Sequence, residues 1–132
     1  MDLQAADNLM LYKALQLVRP GDVLVVNPGG HMCNAVWGEL MTRSAMALGI
    51  AGLVVDGVVR DGAANRKLGP PIFARGTTPV GSEKDGPGFV NGVISCGGVV
   101  VRPGDVIVGD DDRVVVLPVE HIPCVLEHLK ID

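Results

Sequence analysis

Apolar residues recur along this chain at two spacings, helical and strand-like, and the breaks between segments fall at glycine, proline and aspartate. Asp7 is suited to cap a helix, and Leu11, Ala14, Leu15 and Val18 then share one face, predicting a helix to about Val18. Pro20-Gly21 stops it, Val23–Val26 reads as a buried strand, and Asn27–His31 is a glycine-bearing loop. Trp37, Leu40, Met41, Ala45 and Leu48 mark a second helix, with Gly49 placed to end it. Leu53–Val55 and Val58–Val59 are strand-like around Asp56-Gly57, a short helix is expected after Asp61, and Pro71–Arg75 is another strand. Residues 76–89 form the longest loop, a candidate rim of an active site or a subunit contact. Val90–Ser95, Val99–Val101, Val106–Val108 and Val114–Leu117 read as strands, the last two joined through Asp110–Asp112, before a closing helix over residues 119–129.

This order predicts a turn-rich α/β domain. The string Val18-Arg19-Pro20-Gly21-Asp22-Val23 returns as Val101-Arg102-Pro103-Gly104-Asp105-Val106. Either one turn feeds a strand twice, or a half-barrel has been duplicated and its flanks have diverged.

At 132 residues the chain is read as a single domain, 1–132. Hydrophobic residues make up 48% but only one Trp, one Tyr and two Phe are present, so aliphatic side chains must fill the core. The apolar excess predicts burial against partner subunits. No apolar run approaches the roughly 20 residues of a spanning helix, and the first residues do not read as a secretory leader, so no membrane role is expected. A net charge of −4 and the lack of a Lys/Arg cluster argue against nucleic-acid binding. Three widely spaced cysteines with no CxxC point to a reduced, cytoplasmic setting.

Two segments invite chemistry. The first amides of the second helix, at Gly38, Glu39, Leu40 and Met41, lack intrahelical partners and would suit a carboxylate; alternatively Asn34 caps them. Arg60-Asp61 ends a strand, where α/β folds collect ligands. The Arg60 fork suits a carboxylate or 2-oxo acid, and Asp61 suits Mg²⁺ or Mn²⁺, unless it merely caps the next helix. Glu39 reads as an acid holding metal-bound water or as a helix-start carboxylate. His31 borders the glycine loop, whereas His121 and His128 form no ligand set with it. Cys96 is a reactive thiol or a buried one, and Asp110–Asp112 is a hairpin turn rather than a calcium loop. Neither GxGxxG, GxxxxGK[ST] nor GxSxG occurs.

Three strings, Gly38-Glu39-Leu40 through Gly49-Ile50-Ala51-Gly52 to Asp56-Gly57-Val58-Val59-Arg60-Asp61, Pro71-Ile72-Phe73-Ala74-Arg75-Gly76, and Cys96–Asp105, resemble one family. It is that of the regulator of ribonuclease activity A (RraA), with its metal-dependent relatives the 4-hydroxy-4-methyl-2-oxoglutarate / 4-carboxy-4-hydroxy-2-oxoadipate aldolases. Glu39, twenty intervening residues and Arg60-Asp61 match the family's acid-x20-Arg-Asp signature. The resemblance implies a swivelling β/β/α domain, with a mixed central sheet or barrel flanked by helices, and homotrimers or hexamers with sites between subunits. It also implies that the amides at Gly38–Met41 bind the carboxylate of a small 2-oxo acid. Arg60 would hold the oxo end, Asp61 the Mg²⁺ or Mn²⁺, and Glu39 a metal-bound water. The implied activity is retro-aldol release of pyruvate from a 4-hydroxy-2-oxo acid, with oxaloacetate decarboxylation through the same enolate. The alternative is a non-catalytic regulator bound to a ribonuclease or helicase. Two departures stand out: Ala64 replaces an acid of the aldolases, and an N-terminal segment of longer relatives is expected to be missing.

Overall fold

A computed structural model describes residues 1–130. Helix α1 (Leu9–Leu15) has Asn8 at its N-cap position, but it is Asp7 Oδ1 that accepts the Leu9 N–H at 2.9 Å, and the helix unwinds three residues before the expected Val18. The amides of Leu17 and Val18 both turn back to the Ala14 carbonyl, and Pro20 disfavours helical backbone at the residue before it. Strand β2 (Val23–Val26) has the expected bounds. Helix α2 (Glu39–Ala47) begins after Gly38. At its end Gly49 takes φ +78, Ile50 N–H reaches Ala45 O, and Gly49 N–H reaches Met46 O. This paired closure is the reason a glycine is needed there.

The two strand pieces expected around Asp56-Gly57 are one strand, β3 (Gly52–Val59). It pairs in parallel with β2 and with β4 (Ile72–Thr77), giving the order β2-β3-β4. Between Val55 and Val58 the register slips, because Asp56 and Gly57 together face one residue of β4. The slip keeps the strand continuous and carries it on to Arg60. Helix α3 (Gly62–Leu68) follows.

The remaining strands form antiparallel pairs: β1 (Asp2–Leu3) with β5 (Gly88–Phe89), β6 (Ile94–Cys96) with β7 (Val99–Val101), and β8 (Val106–Gly109) with β9 (Val114–Leu117). The strand expected from Val90 begins only at Ile94, since Asn91 adopts φ +61. The loop expected over 76–89 shrinks to 78–87, its ends being drawn into β4 and β5. A 3-10 turn (Val119–His121) leads into α4 (Ile122–Leu129). The α/β class is as expected; parallel strand pairing builds the three-stranded sheet, and isolated parallel bridges join Asp2 to Asn27, Asp7 to Glu83 and Ala35 to Gly81.

Leu11 and Ala14 of α1, Met41 and Ala45 of α2, and Leu53 and Val55 of β3 share the core with Val26, Val36 and Trp37. Trp37 is buried but precedes α2, and Leu40, assigned to the buried helix face, is 78% exposed. Leu48 is also exposed. The repeated Arg-Pro-Gly-Asp string is the same turn twice. Gly21 and Gly104 take φ +91 and +90, and Asp22 and Asp105 each accept the amide of the arginine three residues earlier at 2.9 Å. Proline followed by a left-handed glycine defines that turn type.

Candidate active site

The start of α2 meets the end of β3 because Arg60 N–H donates to Trp37 O at 2.8 Å and Val36 N–H donates to Val58 O at 3.2 Å. This brings Gly38 against Arg60 and Asp61. A Cβ added at Gly38 would lie 2.9 Å from both Arg60 Nε and Asp61 Oδ2, so only glycine fits without displacing them. Gly38 itself is extended (φ −148), so its requirement is space and not backbone freedom.

Asp61 Oδ2 accepts the Glu39 N–H at 2.9 Å. Asp61 therefore caps α2, across 22 residues, and its side chain does not cap α3, which it immediately precedes. Nor does Asn34 cap α2; it is bonded to the His31 ring (2.6 Å) and to Gly81 O (2.7 Å). Asp61 adopts the left-handed conformation (φ 59, ψ 40), which Asp tolerates better than most residues. Its other oxygen, Oδ1, has no partner among the described residues. The amides of Gly38, Leu40 and Met41 likewise make no hydrogen bond among the described residues. Helix-start amides, one arginine and one carboxylate thus converge at one partly exposed place.

The Arg60 side chain is 49% exposed and sits 3.9 Å from Asp61 Oδ2 through Nε, a loose pair that contributes little to stability. Its Nη1 lies beside Gly81 of loop 78–87. That loop is pinned over the site: Ala35 N–H donates to Val80 O, and Ser82 Oγ donates to Ala35 O. Its far end is held by buried Asp7, whose carboxylate accepts the amides of Asp85 and Gly86. Burial pushes the Asp7 carboxyl up, but the amides of Leu9, Asp85 and Gly86 and nearby Lys84 outweigh it and hold it below the ordinary range. The loop expected as a rim does flank Arg60.

The Glu39 carboxylate is paired along its own helix. Its Oε1 accepts from Arg43 Nη2 at 2.7 Å and Nε at 2.9 Å. No three His, Cys, Asp or Glu side chains converge on a metal position among the described residues. A cation here would have Asp61 Oδ1 as its protein oxygen, with the rest from ligand and water, which suits Mg²⁺ or Mn²⁺.

The other candidates lie apart from this place or are occupied. Cys96 neighbours the Asp56–Arg75 ion pair; burial and the Asp56 charge push its thiol up, opposite to an activated nucleophile. Asp110 Oδ1 accepts the amides of Asp112 and Arg113 and closes the β8–β9 turn. His128 bonds back to Cys124 O on α4. Thr42 and Asn65, which belong to no sequence motif, are buried polar residues at the back of the site. The only local sign of Thr42 is its place on the buried face of α2 beside Met41 and Ala45.

Residues 1–116 match the RraA-like family described as Aldolase/RraA, and the chain belongs to that family. A Halalkalibacterium halodurans protein named "Putative 4-hydroxy-4-methyl-2-oxoglutarate aldolase" is 46% identical over 130 residues, 98% of this chain. The chain spans 62% of that relative's length. Two solved structures are similar at 35% identity each. One is a protein from Geobacillus kaustophilus titled S-adenosylmethionine: 2-dimethylmenaquinone methyltransferase, with TM-score 0.82, covering 88% of this chain and 74% of that one. The other is the RNA-processing inhibitor RraA from Thermus thermophilis, with TM-score 0.80, covering 89% and 72%.

Proposed function

We propose that the chain carries a divalent-metal-dependent class II aldolase site. It releases pyruvate from a 4-hydroxy-2-oxo acid and decarboxylates oxaloacetate. The observation that carries this reading is the convergence of free α2 amides, Arg60 and Asp61 on Gly38, where any side chain would intrude. The similarity to a protein named as an aldolase supports it.

The amides of Gly38, Leu40 and Met41, at the positive end of the α2 dipole, hold the substrate carboxylate. Arg60 binds the oxo end and neutralises the charge that develops there as the C–C bond breaks. Asp61 holds Mg²⁺ or Mn²⁺, which when bound supplies Lewis-acid polarisation of the 2-oxo group. Glu39 steadies a water molecule once it gives up Arg43. We further propose a cytoplasmic homotrimer or hexamer with sites at subunit clefts.

Pyruvate release from oxaloacetate and from 4-hydroxy-4-methyl-2-oxoglutarate, measured with Mg²⁺ or Mn²⁺ and then with EDTA, tests the reading. Turnover that requires the cation is expected; turnover that survives EDTA defeats the metal role. A second reading, a regulator docking on a ribonuclease or helicase, is favoured by Ala64 and by the RraA neighbour. It predicts no turnover under any of these conditions. The methyltransferase title of the other neighbour finds no glycine-rich strand–turn–helix nucleoside site here.

A further inference from the structure

Behind Arg60 and Asp61 lies a closed ring of hydrogen bonds. Arg60 N–H donates to Trp37 O at 2.8 Å, and Arg60 O accepts from Asn65 Nδ2 at 3.0 Å. Asn65 Oδ1 accepts from Thr42 Oγ1 at 2.8 Å, and Thr42 Oγ1 accepts Trp37 Nε1–H at 2.8 Å. The single hydroxyl proton of Thr42 is thereby directed to Asn65, the Gly38 carbonyl at 3.1 Å being the longer choice. Trp37, Thr42 and Asn65 are 2%, 1% and 5% exposed, so water does not compete for these bonds. The ring ties together the approach to α2, the helix itself, the Arg60 peptide and α3.

We infer that Thr42 and Asn65 are positioning residues for the site, acting through Arg60 and Asp61; the inference rests on the aldolase reading. The reason is geometric. With its amide and its carbonyl both bonded, the Arg60 backbone is restrained, and this favours the left-handed conformation of Asp61 that follows it. In that conformation its carboxylate turns back to the Glu39 amide and makes no cap bond to α3. Asn65 is suited to the task because it donates to Arg60 O and accepts from Thr42 at once. Thr42 in turn needs a hydroxyl that accepts from the indole and donates to the amide. Neither side chain touches the place where a substrate would sit.

The test uses Thr42→Val, Asn65→Leu and the conservative Thr42→Ser in the full chain, with two readouts. In Thr42→Val and Asn65→Leu, hydrogen exchange of the Arg60 and Glu39 amides is expected to speed up about tenfold or more, while β2 amides keep their rates. Pyruvate release from oxaloacetate with Mg²⁺ is expected to lose about tenfold or more in kcat with KM changed less than about threefold, because the α2 amides still bind the carboxylate. Thr42→Ser is expected to restore both. Wild-type protein without turnover would remove the aldolase reading, and the exchange arm would then decide the positioning role alone. Unchanged exchange at Arg60 and Glu39 in a folded Thr42→Val protein overturns that role. So does acceleration spread equally through β2, which would make the ring a matter of global stability. If Thr42→Val does not fold, failure of Thr42→Ser to match wild-type exchange at Glu39 overturns it as well.

Discussion

The Asp61 carboxylate caps the helix that begins at Glu39, 22 residues earlier in the chain, and not the helix that begins at Gly62. One side chain thereby closes an orphan helix-start donor with Oδ2 and keeps Oδ1 available. Asp61→Asn retains an oxygen for the Glu39 amide and tolerates φ 59, so its stability is expected to match wild type in urea denaturation. Asp61→Ala loses the cap and takes a left-handed backbone poorly, at a cost of about 1–2 kcal/mol. Both are expected to lose metal-dependent pyruvate formation. An active Asp61→Asn protein would take the metal away from this residue.

Gly38→Ala separates packing from backbone strain. Alanine accepts the extended backbone, but its Cβ presses on Arg60 Nε and Asp61 Oδ2. Both side chains are partly exposed and can shift, at the expense of the Asp61–Glu39 cap, so the expected stability loss is about 1 kcal/mol. Displacing both groups by roughly an ångström is expected to lower kcat/KM by about a hundredfold. Full activity would show that the two side chains need not sit where they do.

Arg60→Lys keeps the charge and loses the planar fork. The expected loss is about 2–3 kcal/mol of transition-state binding, roughly a hundredfold in kcat/KM for oxaloacetate. Kinetics equal to wild type would remove Arg60 from the reaction.

The Asp7 carboxyl is held below its unfolded value of about 3.9, so its ionised form stabilises the fold. That contribution is complete above about pH 4 and is lost as pH falls through the depressed folded value. At pH 7, Asp7→Asn must turn an NH₂ toward backbone donors and is expected to lose about 2 kcal/mol. The gap between the two proteins should narrow progressively below pH 4 in denaturant titrations. A gap that stays constant from pH 7 to pH 2 would mean the carboxylate charge contributes nothing to holding loop 78–87.

What the sequence alone determined is local. The two Arg-Pro-Gly-Asp turns, the glycine closing α2, strand β2 and the β8–β9 hairpin each depend on residues within a few positions of one another. The meeting of Gly38–Met41 with Arg60-Asp61 could be named through a family likeness, because the likeness carries tertiary information that spacing lacks. Folding decided the rest. Whether Asp61 caps the helix after it or one far behind it depends on β3 running past its register slip to lie beside Trp37. Whether Leu40 is core or surface depends on where α2 starts, and the Arg60–Trp37 contact falls just ahead of that start. Thr42 and Asn65 look like ordinary helix residues until α2 and α3 pack. A buried hydroxyl or amide must find a partner, and only the packed chain supplies one.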